Sequence, residues 1–219
     1  MLRKTAIIPL SGGIDSSTCI SYATHLGFDV YAVFIDYGQN NLRHEVEAAN
    51  HIADYYKVKE IKILTLDWFK KIGGTGLTDA SHLNQDNKKM EYVPFRNSII
   101  LSLAMAWAEA INANAIFYGS TGPPWITPDN SPEYFDAFRR LASIATMKKN
   151  IEILSPFNEW NKSQVIELGV TLGVPYQLTW SCHNDGENVC QECSQCLDRI
   201  QGFSHLGIED PCNKSTQIK

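Results

Sequence analysis

The stretch that most constrains this chain is Leu10-Ser11-Gly12-Gly13-Ile14-Asp15-Ser16-Ser17. It follows Lys4–Pro9, which is mostly apolar and short enough for a buried strand. It leads into Ser17–Leu26, which reads as a helix closed by Gly27. Strand, glycine-rich turn and helix together make an anion site. Glycines let the backbone approach the ligand, consecutive N–H groups point inward, and the helix amino terminus adds partial positive charge. Ser11, Ser16 and Ser17 add hydroxyl donors. No lysine follows the glycines, so this is not the G-x-x-x-x-G-K-[ST] loop that grips β- and γ-phosphates. The plain alternative is a structural turn between a strand and a helix.

The alternation continues down the chain. Val30–Ile35 is a second strand ending at Asp36-Tyr37-Gly38-Gln39. His44–Tyr56 carries Val46, Ala49, Ile52, Ala53 and Tyr56 at helical spacing, and Ile61–Leu66 is a third strand. Repeated β-α-β units imply right-handed crossovers and a parallel sheet. Such sheets bind ligands beyond the carboxyl ends of their strands, which puts Ser11–Ser17 and Asp36–Gln39 on one rim. Lys70–Tyr92, rich in Gly, Asn, Asp, Ser and Lys, reads as a lid over that rim, the alternative being an idle surface loop. Arg96–Asn112 is an apolar helix and Ala115–Tyr118 a fourth strand. Gly119–Pro132, with four prolines, is a rigid loop on the same rim. Pro132–Met147 is helical and Ile151–Leu154 a fifth strand. Asn161 and Gln164 form a capping box for a helix that runs to Leu172. The expectation is an α/β fold: a parallel five-stranded sheet with helices on both faces, spanning residues 1–178.

Two cations stand where helices begin. Lys162 gains nothing there from the helix dipole, which favours a functional reason over a solvated lysine. Arg96 opens a helix on the same rim and reads as a contact for substrate or phosphate, the alternative being a surface ion pair. Asp129, in the proline-rich loop, has a carboxylate able to accept two hydrogen bonds from a ligand. Its bland alternative is a cap on the helix beginning near Pro132.

At 219 residues and 44% hydrophobic content, the chain can bury the core of one such domain with a small appendage. The net charge of −5 argues against broad nucleic-acid binding. Met1–Lys4 leads straight into the first strand. Neither a signal peptide nor a membrane-spanning run is read, so the expected compartment is the cytoplasm. In a reducing compartment six cysteines point to metal or catalysis before disulfides. Cys182, Cys190, Cys193 and Cys196 give C-x7-C-x2-C-x2-C, the ligand set of a closed, structural, tetrahedral zinc site that staples residues 179–219. Free or redox-active thiols are the alternative. Cys19 reads as core and Cys212 as a free thiol.

The pattern S-G-G-x-D-S-S resembles the PP-loop of ATP pyrophosphatases. Further segments agree with one family: Val93-Pro94-Phe95-Arg96-Asn97, Ser155-Pro156 followed by Lys162, Thr179-Trp180-Ser181-Cys182, and Cys190 to Phe203. In these the chain resembles the QueC family of 7-cyano-7-deazaguanine synthases. The resemblance implies an adenine nucleotide alpha hydrolase-like fold and an ATP-dependent C–N ligase. The carboxylate of 7-carboxy-7-deazaguanine would attack the α-phosphorus, ammonia would convert the acyl-adenylate to an amide, and a second activation would give the nitrile. It implies ATP with Mg²⁺ on Leu10, Ser11, Gly12, Gly13, Ile14, Asp15, Ser16, Ser17 and Asp36. Lys162 and Asp15 would be catalytic, Arg96, Asn97 and Asp129 would face the substrate, and the four cysteines would hold zinc.

The chain departs from the family on the acceptor side. Where the family carries Gly-Tyr-Pro-Asp-Cys-Arg, Pro128-Asp129 persists, but Thr127, Asn130 and Ser131 take the tyrosine, cysteine and arginine positions. Phe95 replaces the glycine common before Arg-Asn. This opens a second reading: a QueC-like enzyme of bacterial antiviral defence that joins the activated deazaguanine to an amine of a partner protein. The partners are then ATP, a deazaguanine carboxylate, and ammonia or a protein amine. The sequence is also compatible with a homodimer.

Overall fold

The computed structural model describes residues 3–72, 75, 77–78, 92–123, 127–148 and 150–213. Five short strands carry the frame: β1 (Thr5–Pro9), β2 (Asp29–Asp36), β3 (Ile61–Thr65), β4 (Ala115–Phe117) and β5 (Glu152–Leu154). Among the described residues seven α-helices connect and cover them: α1 (Ile14–His25), α2 (Leu42–Tyr55), α3 (Phe69–Ile72), α4 (Arg96–Ala110), α5 (Pro132–Ala145), α6 (Lys162–Thr171) and α7 (Ser194–His205). All pairings are parallel, in the order β3-β2-β1-β4-β5. The expected lid over Lys70–Tyr92 lies largely outside the described residues; its first residues belong to the single turn α3.

Side-chain alternation along the strands splits the interior into two cores. Ala6, Ile8, Val30, Phe34 and Phe117 face one layer, with α1, α2, α6 and α7 packed on it. Ile7, Val33, Ile35, Ile116 and Ile153 face the other, covered by α3, α4 and α5. The central strands are therefore apolar on both faces, as a parallel sheet sandwiched between helices requires.

The chain leaves β1 toward β2 and β3, then returns across the sheet to β4 and β5. The direction of winding reverses between β1 and β4, and at such a switch point the carboxyl ends open into a crevice. The glycine-rich loop follows β1 directly. Its helix starts at Ile14, three residues earlier than the periodicity suggests. Gly13 is the N-cap, so Asp15 and Ser16 belong to the first helical turn and their N–H groups have no helical acceptor. Among the described residues no helix is long and apolar enough to cross a membrane.

Phe117 is fully buried at the end of β4, edge-on to Phe28 at 5.1 Å and to Tyr22 at 6.4 Å. Phe117→Ala should cost about 3–5 kcal/mol through the cavity it leaves. Thermal unfolding should then fall by roughly 10 °C in a domain of this size. A shift under two degrees would show that the crevice does not depend on this packing.

Candidate active site

The glycine-rich loop is held from three directions. The Leu10 N–H donates to the Val33 carbonyl at 2.9 Å, which ties the loop to β2. Gly12 adopts φ +78°, and a Cβ there would lie 2.6 Å from the Ala49 nitrogen of α2. Both the left-handed backbone and the lack of space demand glycine. The Gly12 carbonyl accepts the Trp180 N–H at 3.0 Å, so a segment far along the chain fixes the turn. Gly119, just past β4, approaches equally closely: a Cβ would stand 2.7 Å from the Asp15 carbonyl oxygen.

The serines divide. Ser11 and Ser16 line the crevice, their hydroxyl oxygens 3.1 Å apart. Ser17 is fully buried behind the loop, away from the crevice lining. Its neighbour Thr18 hydrogen-bonds the Tyr176 hydroxyl at 2.7 Å. Asp36 folds back, its carboxylate accepting the Gly38 N–H at 2.9 Å, and it too lies outside the lining.

The crevice encloses about 360 Å³. On the phosphate-loop side the Lys162 ammonium donates to both Asp15 carboxylate oxygens at 2.7 Å. Asp198, from α7, stands 3.5 Å from the same nitrogen. Burial pushes the Lys162 pKa down, but the two carboxylates and their hydrogen bonds outweigh it and the net shift is upward. The lysine is a fixed cation beside the helix terminus. Asp198 is pushed up, first by burial, with Lys162 opposing the rise.

Across the crevice the Arg96 guanidinium donates to the Tyr37 hydroxyl at 2.9 Å and sits over its ring. Asn97 is buried in the wall, its side-chain oxygen accepting the Tyr118 hydroxyl at 2.8 Å. Asp129 does not sit as the sequence suggests. One of its oxygens accepts the Asn97 N–H at 3.0 Å, the other accepts the Thr127 hydroxyl at 2.8 Å, and the residue is 4% exposed and outside the lining. Nor does it cap α5, whose cap is Ser131, accepting the Tyr134 N–H. Phe95 precedes α4 in the left-handed region at φ +59° and offers no side-chain acceptor. The first-turn N–H of α4 is therefore satisfied by Asp129, with a charge that suits a helix start.

Two acidic residues escape the sequence reading. Asp198 is hidden within a metal-ligand run, and only the packing of α7 on α6 aims it at Lys162. Glu45, in the first turn of α2, lines the crevice. Its oxygens accept the Gln39 amide at 2.8 Å and the Asn41 amide at 3.1 Å. Burial pushes its pKa up, while those hydrogen bonds and the Arg96 charge hold it down. Spacing alone would have shown only an acid near a helix start.

Cys182, Cys190, Cys193 and Cys196 bring their sulfurs within 4.8 Å of one another and could hold a metal ion. The Cys190 and Cys196 sulfurs are 3.9 Å apart, close to the roughly 3.8 Å edge of a tetrahedral site with 2.3 Å zinc–sulfur bonds. Backbone N–H groups of Asn184 and Cys190 point at the Cys182 sulfur, and those of Glu192 and Cys193 at the Cys190 sulfur. Such donors suit thiolates. Beneath the cluster Arg199 and Asp210 form a buried two-pronged ion pair at 2.7 and 2.8 Å. Cys212 is free of disulfides, with its sulfur 2.9 Å from Arg199. Cys19 is fully buried in the first core.

Residues 5–207 match the family model described as queuosine biosynthesis protein QueC. The 7-cyano-7-deazaguanine synthase of Thermoplasma acidophilum is 40% identical over 222 residues, covering 96% of this chain and 92% of that protein. The synthase of Oceanobacillus iheyensis is 38% identical, covering 96% and 98%. That of Saccharophagus degradans is 40% identical, covering 96% and 98%.

Asp129→Ala should leave the buried Asn97 N–H unpaired, at about 1–3 kcal/mol. The melting temperature should drop by roughly 5 °C, and Asp129→Asn, which keeps one acceptor, should recover part of the loss. Unchanged melting with lost deazaguanine affinity would return Asp129 to the ligand-contacting set.

Proposed function

The chain belongs to the QueC family, and from that premise we propose that it uses ATP to convert 7-carboxy-7-deazaguanine and ammonia into 7-cyano-7-deazaguanine. The observation that carries this reading is that the glycine-rich loop, the Lys162 ammonium and the Arg96 guanidinium all line a single crevice. A carboxylate attacking a polyphosphate must overcome charge repulsion and be held in line. Positioning and fixed positive charge are therefore worth more here than acid–base groups.

The free N–H groups of the first α1 turn, with Ser11 and Ser16, cradle the β- and γ-phosphates, leaving the α-phosphorus toward the crevice. A substrate carboxylate oxygen bonds to that phosphorus as the bond to pyrophosphate breaks. Lys162 neutralises the charge that gathers on the α-phosphate. Arg96 holds the substrate carboxylate, and Asn97, braced from behind by Asp129, shapes the wall beside it. Ammonia then attacks the acyl carbon, loses a proton and displaces AMP. The amide oxygen then attacks the α-phosphorus of a second ATP, expelling a second pyrophosphate, and loss of AMP and two protons leaves the nitrile.

Mg²⁺ accompanying ATP supplies further charge neutralisation, and Asp15 and Asp198 are the hard oxygen donors on that side of the crevice that would hold it. The four cysteines hold zinc in a closed structural site, since four thiolates leave no position for substrate. Its task is to keep Trp180 and Ser181 in place as a wall of the crevice.

Mass spectrometry of a reaction containing the carboxylate, ATP, Mg²⁺ and ammonia should show the nitrile, with AMP and pyrophosphate as co-products. ADP and phosphate without AMP would overturn the assignment. Lys162→Gln should lower kcat about 10²–10³-fold, the loss typical of removing a transition-state charge partner. Metal analysis should find about one zinc per chain. Cys193→Ser should lose that zinc and the cooperative thermal transition before any selective effect on turnover.

A further inference from the structure

The substrate class proposed above presents two adjacent hydrogen-bond donors, the ring N–H and the exocyclic amine of a 2-aminopyrimidinone. Two adjacent acceptors on one rigid group, shielded from water, are the complement of such an edge. Among the described residues lining the crevice, three carboxylates could serve. Asp15 and Asp198 face Lys162 beside the glycine-rich loop, where the proposed ATP and its Mg²⁺ would bind. Asp129 lies behind the wall, buried and outside the crevice lining. Glu45 remains.

Glu45 is also prepared for the task. Its two oxygens each accept one amide hydrogen bond, which fixes the plane of the carboxylate and leaves further acceptor capacity on both. The amides that hold it are themselves held. Gln39 accepts the Tyr37 N–H at 3.0 Å and donates to the Ile35 carbonyl at 3.2 Å. Asn41 also donates to the Cys182 carbonyl at 2.7 Å. Arg96 lines the same crevice, so the two groups can take the oppositely charged demands of one ligand: donors at one edge, an acidic substituent at the other. We propose that Glu45, locked by Gln39 and Asn41, reads the amino and N–H edge of the deazaguanine and makes the crevice selective for 2-amino rings.

This rests on the proposed substrate. The test compares 7-carboxy-7-deazaguanine with the same acid lacking the 2-amino group, following pyrophosphate release, and measures ATP binding separately by calorimetry. A site built to pair a buried donor rejects an analogue lacking it by large factors, so the wild-type protein should prefer the amino compound by about a hundredfold or more in kcat/KM. In Glu45→Gln, where one acceptor becomes a donor, the preference should collapse to less than tenfold while the ATP dissociation constant stays within twofold. Glu45→Asp, which withdraws the carboxylate but keeps its charge, should fall between. Equal use of the two acids by the wild-type protein would overturn the assignment whatever the variants do. So would a folded Glu45→Gln that keeps its preference, or one that loses ATP affinity in parallel. A wild-type protein that binds ATP yet ignores the guanine-type acid would instead strike down the proposed function and this assignment together.

Discussion

The ion pair between Lys162 and Asp15 is the contact on which the site depends. It joins the first turn of α1 to the first turn of α6, two helices that reach the crevice from separate parts of the chain, and Asp198 extends it to α7. Its value does not lie in net stability, because the cost of taking two charges out of water largely offsets their attraction. It lies in position. A lysine on a flexible stem is set at the mouth of an anion-binding loop, where otherwise it would lose conformational freedom on meeting its ligand. Once a polyphosphate enters, the same ammonium has a second anion within reach.

The crevice has two sides of different construction. The glycine-rich loop is one contiguous motif whose tight backbone at Gly12 only glycine permits. The rest of the lining is assembled from Glu45 on α2, Arg96 on α4, and Tyr37 and Tyr118 beyond two strands, with Asp129 acting from behind. This contrast also separates what the sequence discloses from what it conceals. The strand–loop–helix unit, the parallel sheet and the cysteine spacing follow from periodicity and ligand chemistry, and all three stand in the structure. The start of α1 shifts to Ile14 because Gly13 can cap while Ile14 and Asp15 already coil. Periodicity of apolar residues is blind to that.

Asp129 takes a part the sequence did not give it and Glu45 one it did not mention, because their hydrogen-bond partners are set by the fold and not by apolar periodicity. Asp129 is an acid in a loop on the correct rim; one oxygen takes the nearby Thr127 hydroxyl, and only the approach of α4 decides that the other goes to the Asn97 N–H. Glu45 resembles any acid in a first helical turn until Gln39 and Asn41 are folded against it. Phe95 belongs with these. Its left-handed backbone is the geometry a glycine would adopt freely, and a 64% exposed aromatic side chain carries it just before α4.

The hydrogen bond from the Trp180 N–H to the Gly12 carbonyl spans most of the chain. Trp180 is itself fixed by stacking on His44 at 3.9 Å and by its indole N–H on the Cys182 carbonyl. The loop is thus completed by a segment made long after it. Its turn at Gly12 stays unfinished until the stretch around Trp180 and Cys182 has been made. Closure of the turn therefore becomes a report that this later segment is in place.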